Sequence, residues 1–150
     1  MPTRKALGRM AVVTGTAVAA LVAGAGPAHA ATRSFDTGYV GSATSVGLGS
    51  GWGQITWLNR SVQVNGTVDD HLNANYYSQV IFEAWGGTKR VDRQTRSVNN
   101  GRRGYGFTLD GSAYRGGITR VKIDACVFRA GSNTLWGCAP TAPVNLYRPR

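Results

Sequence analysis

His71 is the only histidine beyond the first thirty residues, and it directly follows two aspartates in DDHLNAN, residues 69 to 75. Histidine and a carboxylate are two members of a hydrolytic triad, in which imidazole takes the proton of a hydroxyl or thiol and the carboxylate orients the ring. Adjacency along a chain does not aim one at the other, and both thiols, Cys126 and Cys138, are expected to be oxidised. The other acids, Asp36, Glu83, Asp92, Asp110 and Asp124, are scattered, whereas a glycosidase needs two carboxylates facing each other across a cleft. A hydrolase is therefore the least favoured function, and no catalytic residue is expected. Asp69, Asp70, Asn73 and Asn75 could serve a calcium loop, but the run lacks the ligand order and glycine of an EF-hand. It reads instead as a solvated connection between strands. Zinc would need more ligands than two thiols and one histidine, so neither metal nor other cofactor is expected.

The basic residues say more. Lys89, Arg90, Arg93, Arg96, Arg102 and Arg103 crowd into residues 89 to 103 against Asp92 alone, and Arg115, Arg120, Lys122 and Arg129 add to them. The whole chain has 17 Lys and Arg against 7 Asp and Glu, a formal +10. Such a field favours encounters with polyanions, and arginine favours planar recognition of carboxylate or phosphate. The competing reading is that the charge keeps an edge strand soluble and unpaired. Sugars stack on exposed aromatic rings, and Tyr76 and Tyr77 follow the polar loop while Trp85 precedes Gly86-Gly87. The candidate binding set is thus Arg90, Arg93, Arg96, Arg102 and Arg103 for charge, with Tyr76, Tyr77 and Trp85 for stacking. The expected partner is an extracellular polyanion, a cell-wall polymer or a glycan. The alternative is an inhibitor or effector that docks on another protein through 69–77 or 99–104.

RGYGF, residues 103 to 107, opens like the RNP1 signature of an RNA-binding sheet. Thr108 and Asp110 stand where that signature asks for valine and an aromatic, and no helical period flanks it. It reads as a plain strand with Tyr105, Phe107 and Leu109 buried, and RNA is not expected as a partner.

Residues 1 to 30 read as a secretory signal peptide, with basic Arg4, Lys5 and Arg9, an apolar stretch over 11–23, and the small-residue site Ala28-His29-Ala30. Gly15, Gly24, Gly26 and Pro27 interrupt the run, which falls short of the ~20 apolar residues of a spanning helix. The expectation is a secreted monomer without a transmembrane anchor. Cys126 and Cys138 then form one disulfide. A turn at Gly131-Ser132-Asn133 would pair Ala130 with Thr134, Phe128 with Trp136 and Cys126 with Cys138 on one face.

Residues 31 to 53 are rich in Gly, Ser and Thr, and 35 to 53 read as loop with one weak strand. Over 54–150 the signal is of strands. Val62, Val64 and Val68 alternate, with Gly66 marking a bulge or a close approach. Val80, Phe82 and Ala84 oppose Ile81, Glu83 and Trp85, the mark of a central strand. Val121, Ile123, Ala125 and Val127 alternate with Arg120, Lys122 and Asp124, one face in the core and one in water. NTLWGC and PVNLY add the last strands, and TKRVDRQTRSV reads as a polar edge strand. Seven or eight short strands predict a single all-β domain, an antiparallel immunoglobulin-like β-sandwich or a small barrel.

The leader, the Ala/Gly/Arg bias, the strand SVQVNGTVDD and the hairpin VKIDACVFRAG with its second cysteine resemble small secreted β-sandwich proteins of actinobacteria. The resemblance spans most of the mature chain on unspecific motifs. It implies secretion and an all-β fold, and it brings no catalytic residue to carry over.

Overall fold

The computed structural model describes residues 30–41, 49–72 and 74–150, so the segment expected to be a signal peptide, up to residue 29, lies outside it, as do residues 42–48 and Asn73. The described residues form nine strands and no helix: β1 (Ala31–Tyr39), β2 (Gly49–Trp57), β3 (Val62–Asp70), β4 (Tyr76–Gly86), β5 (Lys89–Val98), β6 (Gly101–Leu109), β7 (Arg120–Arg129), β8 (Thr134–Cys138) and β9 (Val144–Tyr147). They make two antiparallel sheets, ordered β1-β2-β3-β6 and β5-β4-β7-β8, with β9 continuing the β8 edge along the first half of β7. The sheets pack face to face and do not close into a barrel.

The alternating residues form the core. Val62, Val64 and Val68 of β3 are buried against Val80, Phe82 and Ala84 of β4 and Val121, Ile123, Ala125 and Val127 of β7. Phe82 is the hub, with Phe35, Tyr105 and Phe107 set edge-on around it at 5.1–5.8 Å between ring centroids. That arrangement directs positive ring edges at negative ring faces. RGYGF therefore lies in β6, an edge strand of the first sheet, whose Leu109 is buried as expected while Tyr105 and Phe107 point between the sheets only half-buried, because no further strand covers that edge. As the two-sided apolar pattern predicts, β4 is central, and TKRVDRQTRSV forms the edge strand β5.

Three expectations are corrected. Residues 35–53 are not mostly loop: β1 runs to Tyr39 and β2 starts at Gly49, which raises the strand count to nine. Gly49 and Gly51 face the core, where an added Cβ would run into Ser78 and Val127 or into Val80. The opposite sheet fills the volume, so β2 shows no apolar alternation there. In the last hairpin Cys126 does pair with Cys138, and the disulfide is formed. Phe128, however, faces Leu135 rather than Trp136, because the register shifts by one residue, a β-bulge. Lastly, Asp69 and Asp70 are no solvated connection, since β3 extends through both and buries them.

The ends of the sandwich are closed by single side chains. At one end the Asp70 carboxylate accepts the backbone N–H groups of Leu72 and Asn100. At the other, the Arg148 guanidinium donates to the carbonyls of Ile118, Asn59 and Leu58. Each satisfies main-chain groups that no ladder reaches.

Candidate functional site

Burying Val80, Phe82 and Ala84 turns Ile81, Glu83 and Trp85 to the outer face of the second sheet. Strand register then chooses their neighbours. Glu83 stands between Arg93 of β5 and Lys122 of β7, and Trp85 between Arg90 and Arg120. Arg120 in turn pairs with Tyr147 of β9, which is 59 % exposed. A bulge in β5 brings Arg90 rather than Val91 opposite Trp85. The extra residue re-aims the strand, so that Arg90 and Arg93, three apart, share one face.

The face has an internal order. Glu83, with only 14 % of its side chain exposed, accepts a hydrogen bond from Arg90 at 2.7 Å and has Lys122 at 3.9 Å and Arg93 at 4.0 Å. Lys122 also lies 3.0 Å from Asp124. Exposed ion pairs add little stability. Here they hold long basic side chains extended over the sheet, with Arg90, Arg93 and Lys122 around two carboxylates. The Arg120 guanidinium carbon lies 4.9 Å from the Trp85 ring centre, a cation–π contact. Arg120, Lys122 and Asp124 are half-buried rather than free in water, because β7 lies between β4 and the β8–β9 edge.

The remaining candidates go elsewhere, and the five arginines do not form one patch. Arg96 turns to the other side of β5, 4.1 Å over the Phe107 ring, with a hydrogen bond to the Thr95 carbonyl. Arg102 lies on the outer face of the first sheet, donating to Asp69 at 2.9 Å and lying 5.0 Å over Trp52. Arg103 is exposed on the opposite side of β6, in register with Val68. Tyr76 meets Trp136 edge-on at 6.2 Å. Tyr77 shares the face of Trp85 but sits at the far end of β4, stacked on Phe128 at 5.4 Å and donating to Asn133. Of the eight, Arg90, Arg93 and Trp85 come together.

The possible catalytic and metal groups are also placed. His71 Nε2 lies 3.2 Å from Asp69 Oδ2, the same oxygen that binds Arg102. Ser50, the hydroxyl residue opposite Asp69 in register, is buried. Both Asp70 oxygens accept backbone N–H groups. Among the described residues no three His, Cys, Asp or Glu side chains converge as a metal site would need. Inside the sandwich, burial pushes the Tyr105 phenol above its ordinary range, and nearby Arg96 opposes part of that shift.

Arg120, Lys122 and Tyr147 belong to the site, although the sequence showed the first two only as general charge. The alternation in TRVKID put Arg120, Lys122 and Asp124 on one side of a strand. Which strand lies beside it is long-range information that no local pattern carries. The chain matches no known family model, no curated protein and no solved structure.

Proposed function

We propose that the protein is a secreted, non-catalytic binding module for an extracellular anionic polymer, contacted by the outer face of the second sheet. The observation that carries this reading is the row Arg90–Trp85–Arg120–Tyr147 beside the row Arg93–Glu83–Lys122, drawn from four strands. Guanidinium groups offer paired N–H donors to phosphate or carboxylate oxygens. Glu83 keeps these side chains extended, while the excess of cations leaves the face positive. Tyr147 supplies an exposed ring for an apolar portion of the polymer.

The test is co-sedimentation with purified bacterial cell walls, with their anionic polymers retained or stripped. Screening reaches about 8 Å at physiological ionic strength and 3 Å near 1 M, so binding should be strong at low salt and fall steeply near 1 M. It should also fall on stripped walls and in the triple variant R90A/R93A/K122A. Equal binding by the triple variant would remove the proposal.

A second reading, docking on a protein partner, is favoured by Leu135 and Trp136, which stand 54 % and 49 % exposed on the bulged hairpin. Trp136 touches Tyr76, the first residue of β4, where the chain leaves the connection from β3. Binding that survives high salt, needs one protein partner and is lost in Trp136→Ala would select it.

A further inference from the structure

The opposite face of the sandwich carries a different surface. Three strands of the first sheet meet there in strict register: Ser34, Gln54 and Asn65 form one row, Phe35, Gly53 and Gly66 the next, and Asp36, Trp52 and Thr67 the third. The Phe35 side chain is buried in the core, and Gly53 and Gly66 share its inward-facing register together with Tyr105. The middle row is therefore bare backbone, flanked on both sides by outward polar groups. On the inner side of that row the backbones approach closely, since a Cβ at Gly66 would crowd the Trp52 carbonyl and the buried Tyr105 hydroxyl. Between the two outward rows lies an open trough of about 610 Å3 that crosses the strands. It leads toward β6, where Gly106 and Gly104 continue the outer rows and again add no side chain.

The chemistry of the trough is narrow. Ser34, Asp36, Gln54 and Asn65 are exposed, and Thr67 and Trp52 are half-exposed. Hydroxyl and amide groups can donate to and accept from vicinal hydroxyls, the Asp36 carboxylate can accept, and the half-exposed indole adds apolar surface. Rows two residues apart along a strand are separated by about 6.6 Å, enough to seat a sugar ring between them. Asp36 is held in place by accepting the Gly38 N–H at 2.9 Å, and Arg102, anchored on Asp69, lies over the Trp52 ring. The Asp36 carboxylate disfavours an anionic ligand here, and among the described residues that line the trough Trp52 alone offers a large apolar side chain to the outside for a peptide to bury.

We infer that this trough is a second binding site, specific for a neutral polysaccharide chain. It lies on the face opposite the basic one and does not depend on that face being functional.

The experiment is retention of the protein on cellulose, chitin and xylan in about 1 M salt, where the Debye length of about 3 Å silences the basic face. Retention on at least one polymer is expected, unchanged in R90A/R93A/K122A. It should weaken about tenfold or more in Trp52→Ala, the equivalent of ~1.4 kcal/mol. Because Trp52 is partly packed, Gln54→Ala/Asn65→Ala provides an independent arm on exposed side chains, with folding checked by circular dichroism. Retention on none of the three polymers would overturn the inference, as would full retention by the Gln54/Asn65 variant. Loss of wall binding in the arginine variant alone would bear only on the basic face.

Discussion

The backbone N–H of Asn100 donates to Oδ2 of Asp70 at 3.1 Å, across thirty residues of chain. Asn100 has a left-handed backbone, φ 56°, at the turn between β5 and β6. The other Asp70 oxygen accepts Leu72 N–H at 3.0 Å, and the side chain is fully buried. One carboxylate therefore fixes both connections at that end of the sandwich. Asp70→Ala would strand two donors and should cost about 2–4 kcal/mol in urea unfolding. Asp70→Asn keeps one acceptor and should fall between. A loss under 1 kcal/mol in the alanine variant would contradict the assigned role.

Tyr105 makes a prediction at alkaline pH. Its hydroxyl is buried without a hydrogen-bond partner among the described residues, and burial raises its pKa above the usual 10.0. Above pH 10 the unfolded chain releases this proton while the folded protein retains it. The contribution to stability is thus complete below the ordinary pKa and is lost as pH rises beyond it. Tyr105→Phe should flatten the alkaline fall in melting temperature. At neutral pH the variant should match or exceed the parent, by up to about 1 kcal/mol, since an unpaired buried hydroxyl is removed.

The Cys126–Cys138 bridge spans a sequence separation of 12. Closing a loop of that size restricts the unfolded chain by roughly 3 kcal/mol. Replacing both cysteines with serine should lower stability by about that amount, and reduction of the native protein should reproduce the loss. Coincident unfolding curves for oxidised and reduced protein would refute it.

Gly51 faces Val80 across the sheets, and a methyl group there has no room. Gly51→Ala should destabilise by about 1–3 kcal/mol as overpacking. Val80→Ala costs stability alone but vacates that space. The double variant should accordingly be more stable than the sum of the single effects implies, a coupling readable in a double-mutant cycle. Strict additivity would mean the two positions do not compete for one volume.

The arginines should separate by face. R90A/K122A should weaken wall-polymer binding, by about 1 kcal/mol for each cation near an anionic surface. Arg96→Ala should leave binding unchanged and lower stability instead, because its guanidinium covers Phe107 rather than facing outward. Titration of both variants with the same wall preparation makes the comparison.

The core was legible wherever one strand carried its own alternation, as in Val62–Val68 and Val121–Val127. β2 escaped because its core-facing positions are glycines whose space belongs to the other sheet. The site was legible only as ingredients. Arg90 and Arg93 share a face through a bulge, and Arg120 reaches Trp85 through strand order. Both facts depend on partners distant in the chain. Counting arginines within one segment joined side chains that alternation sends to different surfaces, Arg102 and Arg103 being the plainest pair.

Gly49 and Gly51 have a consequence for sequence variation. Exposed residues such as Gln54 or Arg103 can change without disturbing the packing of the two layers. The two alternate positions of β2 cannot, unless Ser78 and Val80 change with them. A chain that keeps this packing can therefore change its outward residues freely and must still place glycine at alternate positions of β2, opposite Ser78 and Val80 of the fourth strand or residues no larger. What the two layers demand most strictly of this strand is a pair of missing side chains.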